Sequence, residues 1–357
     1  MVSSPNHTTA TALALPPRLR TAVARFEGEA VSNVLLRPPI ASVWRGQLGR
    51  WLRDVAGGTD VEGSLYRWLF STPKDAVQLP TLSGRSRATL GLTGAHVPHA
   101  FVLRVPNAIP GEPLEVTTGD PLSVEIVLVE GAITHLPTLC AGMEAVWDRP
   151  LGSRCKQPDD AHRRGRVRLT QASLAIEEVQ WTLWEDGSWR LPAMVDASLY
   201  DRVASLRAPE VLAQTPAARV TLMTPFRAKH RGRWVQPSAL TPSVLCAQLL
   251  RRLGGLVTCY GTHDVDDDAV SAWRNAGFAI ADATTLSSSS LQWVDTFRYS
   301  GRQNRPLPAG GVTGSFELAA KPEVMRHWHR LLRQAEDVHL GKGTAFGHGS
   351  LRIDDIP

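Results

Sequence analysis

The sequence predicts an α+β protein made of two tandem ferredoxin-like (RRM-like) domains, each running β-α-β-β-α-β. Three observations predict it. Short runs rich in β-branched residues alternate like strands, and stretches with apolar residues three and four apart read as helices. These elements fall in the same order in both halves of the chain, although no residue-by-residue repeat links the halves. The length, 357 residues, suits two domains of ordinary size.

Residues 1–17, MVSSPNHTTATALALPP, lack the basic start and apolar core of a signal peptide and read as a flexible leader. The first domain, 18–206, opens with a strand in RLRTAVARFEGEAV (18–31). Pro38 and Pro39 then introduce a helix that Gly57 and Gly58 stop. Ile40, Trp44, Leu48, Trp51 and Val55 make its apolar stripe. Ser42, Arg45, Gly46, Gly49, Arg50 and Arg53 fall on the opposite arc and predict an outer face of arginine and glycine. Residues 57–98 are irregular, with a short helix near SLYRWLF. Strands follow in AFVLRVP (100–106) and LSVEIVLVE (122–130), a helix in LPTLCAGMEAVW (136–147), and one long strand or two in 166–184.

The boundary falls near RAPEVLAQTPAA (207–218), and the second domain spans 218–357. It begins with a strand in ARVTLMTPFRAK (218–229) and a helix in 241–257 with Leu245, Leu249, Leu253 and Leu256 inside. LQWVDTFRYS (291–300) and GGVTGSFELA (310–319) read as a strand pair. A helix over 321–336 buries Val324, Trp328, Leu331 and Leu332, and GSLRI (349–353) closes the sheet. His327 and His329 read as surface residues of that helix, and His339 as structural.

Composition excludes several classes. With 43% hydrophobic and 20% charged residues the balance is that of a globular protein. No apolar run approaches the roughly 20 residues that span a bilayer, so no membrane partner is expected, and a cytoplasmic location is the default. The four cysteines are scattered, which argues against a disulfide framework and against a structural zinc site; no metal and no cofactor is expected. Net charge is only +5, but it is segregated. Ala30 to Arg53 holds four arginines and no acid, Val211 to His263 seven Lys/Arg and no acid, and Thr296 to Phe316 three arginines and no acid. RRGRVR (163–168) adds four more arginines, while acids gather in DVDDD (264–268). Such segregation builds a positive face suited to a polyanion.

Near the end of the chain lies GKGTAFGHGSLRI (341–353), with Gly341, Gly343, Gly347 and Gly349 around Lys342 and His348. It is not a P-loop, because Gly343 stands where Ser or Thr must follow the lysine and too little chain remains for the helix. Nor is it a dinucleotide fingerprint, since Phe346 fills the third glycine position. Two readings stay open. The glycines either form a backbone nest against which a nucleic-acid strand lies, or they merely make a tight helix-to-strand connection.

HLGKGTAFGHGSLRI (339–353) resembles the C-terminal glycine-rich signature of the RAMP superfamily, and in particular of the CRISPR-associated endoribonucleases that cut precursor CRISPR RNA within its repeats. IASVWRGQLGRWLR (40–53) resembles that family's first helix, and PHAFVLRVP (98–106), LMTPFRAKHRG (222–232) and WVDTFRYSGRQNRPLPAGGVTGSF (293–316) follow in the expected order. The resemblance implies tandem ferredoxin-like domains and a basic groove for stem-loop repeat RNA. It also implies metal-independent cleavage leaving 2′,3′-cyclic phosphate and 5′-hydroxyl ends, with the mature crRNA often retained, and other Cas effector subunits as partners. The alternative is a catalytically inactive crRNA-binding subunit of an effector complex. Many relatives carry a cysteine cluster after the first helix, whereas residues 57–75 here hold no Cys.

Attack of a ribose 2′-oxygen on the adjacent phosphate needs a base, an acid and positive charge at the phosphorane. Family members often take a histidine from the region of the first helix, but no His lies between residues 8 and 95 here. Arg45 and Arg37 remain as electrostatic candidates, poor bases because guanidinium stays protonated. His348 is either the titrating group or a stacking or phosphate contact. Lys342, the four loop glycines, Arg50, Arg53, Arg227, Lys229, Arg231, Arg298, Tyr299 and Arg302 are the expected RNA contacts, with Trp234 as a stacking platform.

Overall fold

The computed structural model describes residues 13–55, 65–72, 74–109, 111–192, 195, 199, 200, 203, 215–287, 290–300 and 305–356. The first half forms an antiparallel six-stranded sheet from β1 (Thr21–Ala30), β2 (Phe101–Arg104), β3 (Pro121–Val129), β4 (Val167–Ile176), β5 (Val179–Glu185) and β6 (Ser188–Trp189). Their spatial order is β6-β5-β4-β1-β3-β2. β1 pairs Ala24 with Ile126 and Phe26 with Val124 across β3. Ala22, Ala24 and Phe26 are buried, the period of two expected when one sheet face is covered. Residues 166–184 thus hold two strands, not one.

Two helices cover that face, α1 (Ala41–Val55) and α2 (Leu136–Trp147), with the Trp44 and Trp147 rings 4.8 Å apart. Trp44 and Leu48 are buried as the spacing predicts, but Val55 is 63% exposed and Leu52 takes the last inward place. The apolar stripe therefore ends one turn early.

The second half builds another antiparallel sheet from β7 (Ala217–Phe226), β8 (Thr285–Ser287), β9 (Gln292–Val294), β10 (Gly311–Ala319) and β11 (Leu351–Ile356). The order is β8-β10-β7-β11, with β9 also pairing to β10. Its helices are α3 (Pro242–Tyr260), α4 (Asp267–Asp282) and α5 (Pro322–Val338). Leu245, Leu249, Leu253 and Leu256 of α3 are fully buried, each stabilising the fold by about 1.5–3 kcal/mol.

One expectation is extended here and two are corrected. DVDDD is not only a place where acids gather: Asp266 caps α4, accepting from the Ala269 N–H at 2.8 Å, and Asp267 and Asp268 sit in its first turn, where carboxylates are favourable. The predicted pair 291–300 with 310–319 is divided, since Gln292–Val294 joins β10 while Phe297–Ser300 leaves the sheet to pair with Arg305–Pro308. Pro306 and Pro308 cannot donate to a ladder and suit such a peripheral hairpin. Finally His329 is buried, its Nδ1 3.3 Å from Asp355 Oδ1, because β11 lies along that side of α5.

The halves brace each other. Leu15, Leu19, Leu82, Leu90, Leu92 and Val97 join the core of the second half. Leu15 and Pro16 are thus packed, and the Pro16 carbonyl accepts from Arg330, so the predicted flexible leader is at least in part folded onto α5. Arg104 donates to the Asp337 carbonyl and carboxylate at 3.0 and 2.9 Å. Buried Arg252 donates twice to the Val338 carbonyl, at 3.0 and 2.9 Å, and once to the His99 carbonyl at 3.4 Å. Among the described residues no helix is long and apolar enough to cross a membrane. The expected domain boundary lies mostly in 204–214, outside the described residues.

Candidate nucleic-acid interface and active site

The glycine loop connects α5 to β11 at the junction of the two halves. Gly341, Gly343, Gly347 and Gly349 all have φ between +71° and +83°, the region that only glycine occupies without strain. A Cβ on Gly341 would stand 2.6 Å from the Arg227 carbonyl oxygen. One on Gly347 would stand 3.0 Å from the Ala41 Cβ and 3.1 Å from the Leu103 oxygen, and one on Gly349 would overlap the Leu340 carbonyl. On the side a Cβ would take, these three glycines meet the protein's own chain, which fits a tight helix-to-strand connection. Two of the loop's amides are turned inward: Lys342 N–H donates to Arg227 O at 2.7 Å and Gly349 N–H to Pro225 O at 3.1 Å.

What the loop presents outward is Lys342 and Phe346. Phe346 is covered by two guanidinium groups, Arg45 at 4.3 Å and Arg298 at 4.4 Å from its ring centre. Arg45 also stacks 5.0 Å from Phe70 and donates to the Phe70 carbonyl at 3.0 Å. The predicted outer face of α1 is therefore not bare. Segment 65–71 packs over Arg45 and Gly49, while Gly46, Arg50 and Arg53 of that arc stay exposed, with Arg53 5.5 Å from Tyr66. Burial pushes Arg45 down to about 10, so it remains cationic at neutral pH. Burial also lowers Arg298, and Arg227 beside it lowers it further.

A second cluster adjoins the first. Trp234 is ringed by Arg227 at 4.0 Å, Lys229 at 4.9 Å and Lys342 at 5.9 Å. Its ring thus already stacks against the protein's own cations, which differs from a free stacking platform. Burial and then the like charges of Lys229, Arg251 and Arg227 lower Lys342. Packed cations without a carboxylate among them are costly unless an anion visits, which is the electrostatic signature of a phosphate site. Arg231 is exposed on the hairpin turn and Arg37 at the approach to α1. Arg302 and the Tyr299 side chain lie outside the described residues.

Beside these clusters a cleft of about 310 Å³ opens between the halves, bordered by Pro39, Ala41, Arg104, His339, Phe346 and His348, among others. His348 is buried, and burial together with Arg298 and Arg227 lowers it to about 4, so it is neutral at pH 7. Its Nε2 has no protein partner. Local patterning assigns no role to His99, which the fold brings under the influence of Arg45. His99 Nδ1 lies 2.9 Å from the Leu69 carbonyl and must donate to it, which leaves Nε2 as an acceptor. Burial, then Arg45, lowers His99 to about 3. Nothing local marks His99 or Phe346 in the sequence, because both matter only through partners distant in the chain. Among the described residues no group of three or more His, Cys, Asp or Glu is placed to hold a metal ion.

Comparison with known proteins follows this geometry. Residues 220–351, which contain Trp234 and nearly all of the glycine loop, match the family described as CRISPR-associated endoribonuclease Cas6. Residues 19–195, which contain α1 and the first sheet, match a second family described as an N-terminal domain. Among solved structures, a partial Cas6-RT-Cas1–Cas2 complex aligns at TM-score 0.52 and 12% identity, covering 96% of this chain and 47% of that one. A Cas6 product complex of Thermus thermophilus aligns at TM-score 0.52 and 16% identity, covering 94% of this chain and 99% of that one. The chain thus spans about half the length of the first and nearly the whole of the second, and at these identities the likeness is one of fold. No curated protein matches the chain. The Cas6-family match over residues 220–351, with a fold shared along nearly the whole chain, supports a CRISPR-associated repeat endoribonuclease.

Proposed function

We propose that this protein cuts CRISPR repeat RNA within the precursor transcript, without metal, leaving a 2′,3′-cyclic phosphate and a 5′-hydroxyl, and that it keeps hold of the crRNA product. The observation that carries the reading is the pairing of Arg45 and Arg298 on Phe346, which joins the first helix to the glycine loop beside a second cationic cluster. In this reading the RNA backbone follows Lys229, Arg227, Lys342 and Arg298 to the start of α1. His348 Nε2 takes the 2′-hydroxyl proton, the 2′-oxygen bonds to phosphorus, and the bond to the 5′-oxygen breaks as that oxygen takes up a proton from solvent water. Arg45 and Arg298 face the phosphorane. Each such donor contributes roughly 10²–10³-fold and a base roughly 10²–10⁴-fold. A bound phosphate offsets Arg298 and Arg227, and so raises the basicity of His348 from its free value.

The two strand orders, β4-β1-β3-β2 and β11-β7-β10-β8, support reading both halves, 18–206 and 218–357, as ferredoxin-like domains. Other Cas proteins are the proposed partners, as in the solved complex of a Cas6 fused or bound to other Cas components whose fold this chain shares. A second reading, a silent crRNA-binding subunit, is favoured by one observation: the start of α1 carries Pro38, Pro39 and Ile40 and no imidazole. Incubating the protein with end-labelled repeat RNA in EDTA decides between them. One cut with a cyclic-phosphate end is expected; retention of uncut RNA supports the silent subunit, and neither binding nor cutting overturns both.

A further inference from the structure

Three unfavourable backbone features meet beside Arg45. Arg67–Ser71 is a π-helical turn, a rare form that recurs at functional sites. It ends at Thr72, a β-branched residue held at φ 44° and ψ 49°, left-handed backbone that is strained for any residue but glycine. Across from the turn, α1 carries Gly49 in its interior, where glycine weakens a helix. A Cβ there would stand 3.0 and 3.2 Å from atoms of the Phe70 ring, so the glycine leaves room for Phe70 to settle on the helix. Outliers that a fold retains together point to a task that needs them.

What the turn delivers is a seat for Arg45. The Phe70 carbonyl accepts from an Arg45 terminal nitrogen at 3.0 Å, and the Phe70 ring lies 5.0 Å from the guanidinium carbon. That ring is itself wedged between Tyr66 at 5.7 Å and Phe101 at 5.0 Å. Two side chains pin the turn on either side of Phe70. His99 Nδ1 donates to the Leu69 carbonyl at 2.9 Å, one residue before it. The Thr72 hydroxyl, two residues after it, donates to the Val97 carbonyl at 3.1 Å and lies 3.4 Å from the same His99 nitrogen. His99 is held in its turn, with its carbonyl accepting from Arg252 at 3.4 Å and its ring 5.8 Å from Phe101. Being neutral at pH 7, it brings no second positive charge to Arg45.

We infer that His99 and Thr72 are positioning residues of the cleavage site: they fix the 67–71 turn so that the Phe70 carbonyl and ring hold the Arg45 guanidinium against Phe346. The inference rests on the endoribonuclease reading, in which Arg45 faces the phosphorane. A cationic donor lowers a barrier only when it is already aimed at the place where charge develops. Arginine is long and flexible, so its aim must come from what surrounds it, and an error of about 1 Å costs about 10²-fold in rate. In this role neither His99 nor Thr72 touches the RNA.

The test uses the full protein and end-labelled repeat RNA, with single-turnover cleavage rates at saturating protein and Kd by filter binding. His99→Leu removes the donor to Leu69 and is expected to slow cleavage about 10–100-fold while Kd changes less than about threefold. His99→Asn, whose side-chain amide offers an N–H close to the place of Nδ1, is expected to recover most of that rate although it cannot shuttle a proton. Adding His99→Leu to Arg45→Ala is expected to slow cleavage by no more than about a further twofold, because residues that act through one group are not additive. Positioning is overturned if folded His99→Leu cleaves within about twofold of the wild type, weakens binding as much as cleavage, or slows the Arg45→Ala protein by its full factor. An asparagine variant as slow as the leucine one overturns it too and points to the imidazole itself. In each of these cases cleavage by the wild type leaves the functional reading standing. Should His99→Leu fail to fold by circular dichroism, Thr72→Val and Thr72→Ser repeat the comparison, with the hydroxyl lost in one and kept in the other. If the wild type does not cut repeat RNA, the functional reading fails and the inference falls with it.

Discussion

Gly349 is where the loop tolerates least. Its φ is +71°, and a Cβ there would overlap the Leu340 carbonyl oxygen and come within 2.8 Å of its carbon and 3.0 Å of its nitrogen. Those atoms are backbone and cannot swing aside as a side chain would. The same two residues are joined by the Leu340 N–H to Gly349 O bond at 2.8 Å, and Gly349 N–H reaches Pro225 O at 3.1 Å. Gly349→Ala thus adds left-handed strain of about 1–2 kcal/mol and weakens two backbone bonds worth about 1 kcal/mol each. The expected loss is about 3–4 kcal/mol of a total of roughly 5–15 kcal/mol. Urea unfolding measures it, with Gly46→Ala as the control. Gly46 is exposed on α1 with nothing within 4 Å of a built Cβ, and alanine there is expected to gain about 0.5–1 kcal/mol. A loss below about 1 kcal/mol for Gly349→Ala would refute the claim that the glycines serve the protein's own packing. Full stability with lost RNA binding would instead favour the other reading of the loop, in which a nucleic-acid strand lies on bare backbone.

Arg45→Ala is expected to slow single-turnover cleavage about 100-fold or more while weakening RNA binding less than about tenfold, and Arg45→Lys to recover little, since an ammonium cannot stack between Phe346 and Phe70. Lys342→Ala should reduce the slope of log K against log salt by about 0.7–0.9, the share of one phosphate contact; an unchanged slope would remove Lys342 from the backbone path. Stability should fall with acid. His348 and His99 are held near 4 and 3 against an ordinary 6.5, so below 6.5 the unfolded chain takes up protons that the folded one refuses. Thermal melts should then show about 1.4 kcal/mol lost per pH unit per histidine between 6.5 and about 4, and a flat profile over that window would contradict their burial in the neutral form. Arg252→Ala removes three hydrogen bonds to the Val338 and His99 carbonyls and leaves a cavity, with an expected loss of about 3–5 kcal/mol by denaturant titration.

The loop and the first helix act as one device. Phe346 gives the two guanidinium groups a shared aromatic surface, although their like charges oppose the approach. Because the loop is anchored to Arg227 and Pro225 on one side and Ala41 and Leu103 on the other, a shift of either half would separate the arginines. The interdomain bonds of Arg104 and Arg252 thereby keep the candidate site assembled.

By itself, the sequence determined many of the strands, most helices and their order, because these rest on local periodicity: α2 occupies the predicted 136–147, and the four leucines of α3 are buried. It also showed where positive charge gathers and that the terminal glycines answer a backbone need. It could not say whose backbone, since Gly341, Gly347 and Gly349 meet Arg227, Leu103 and Leu340, and the first two of these contacts span more than 100 residues. Helical spacing placed Arg45 on the side away from the core, yet what covers that side comes from Phe70 and Phe346, which only the tertiary structure brings there. The α4 helix was hidden because its cap reads equally well as an acidic loop until Ala269 is seen to donate to it. The cleft between the halves was beyond reach altogether, for enclosed space is a property of the tertiary fold and not of residue type.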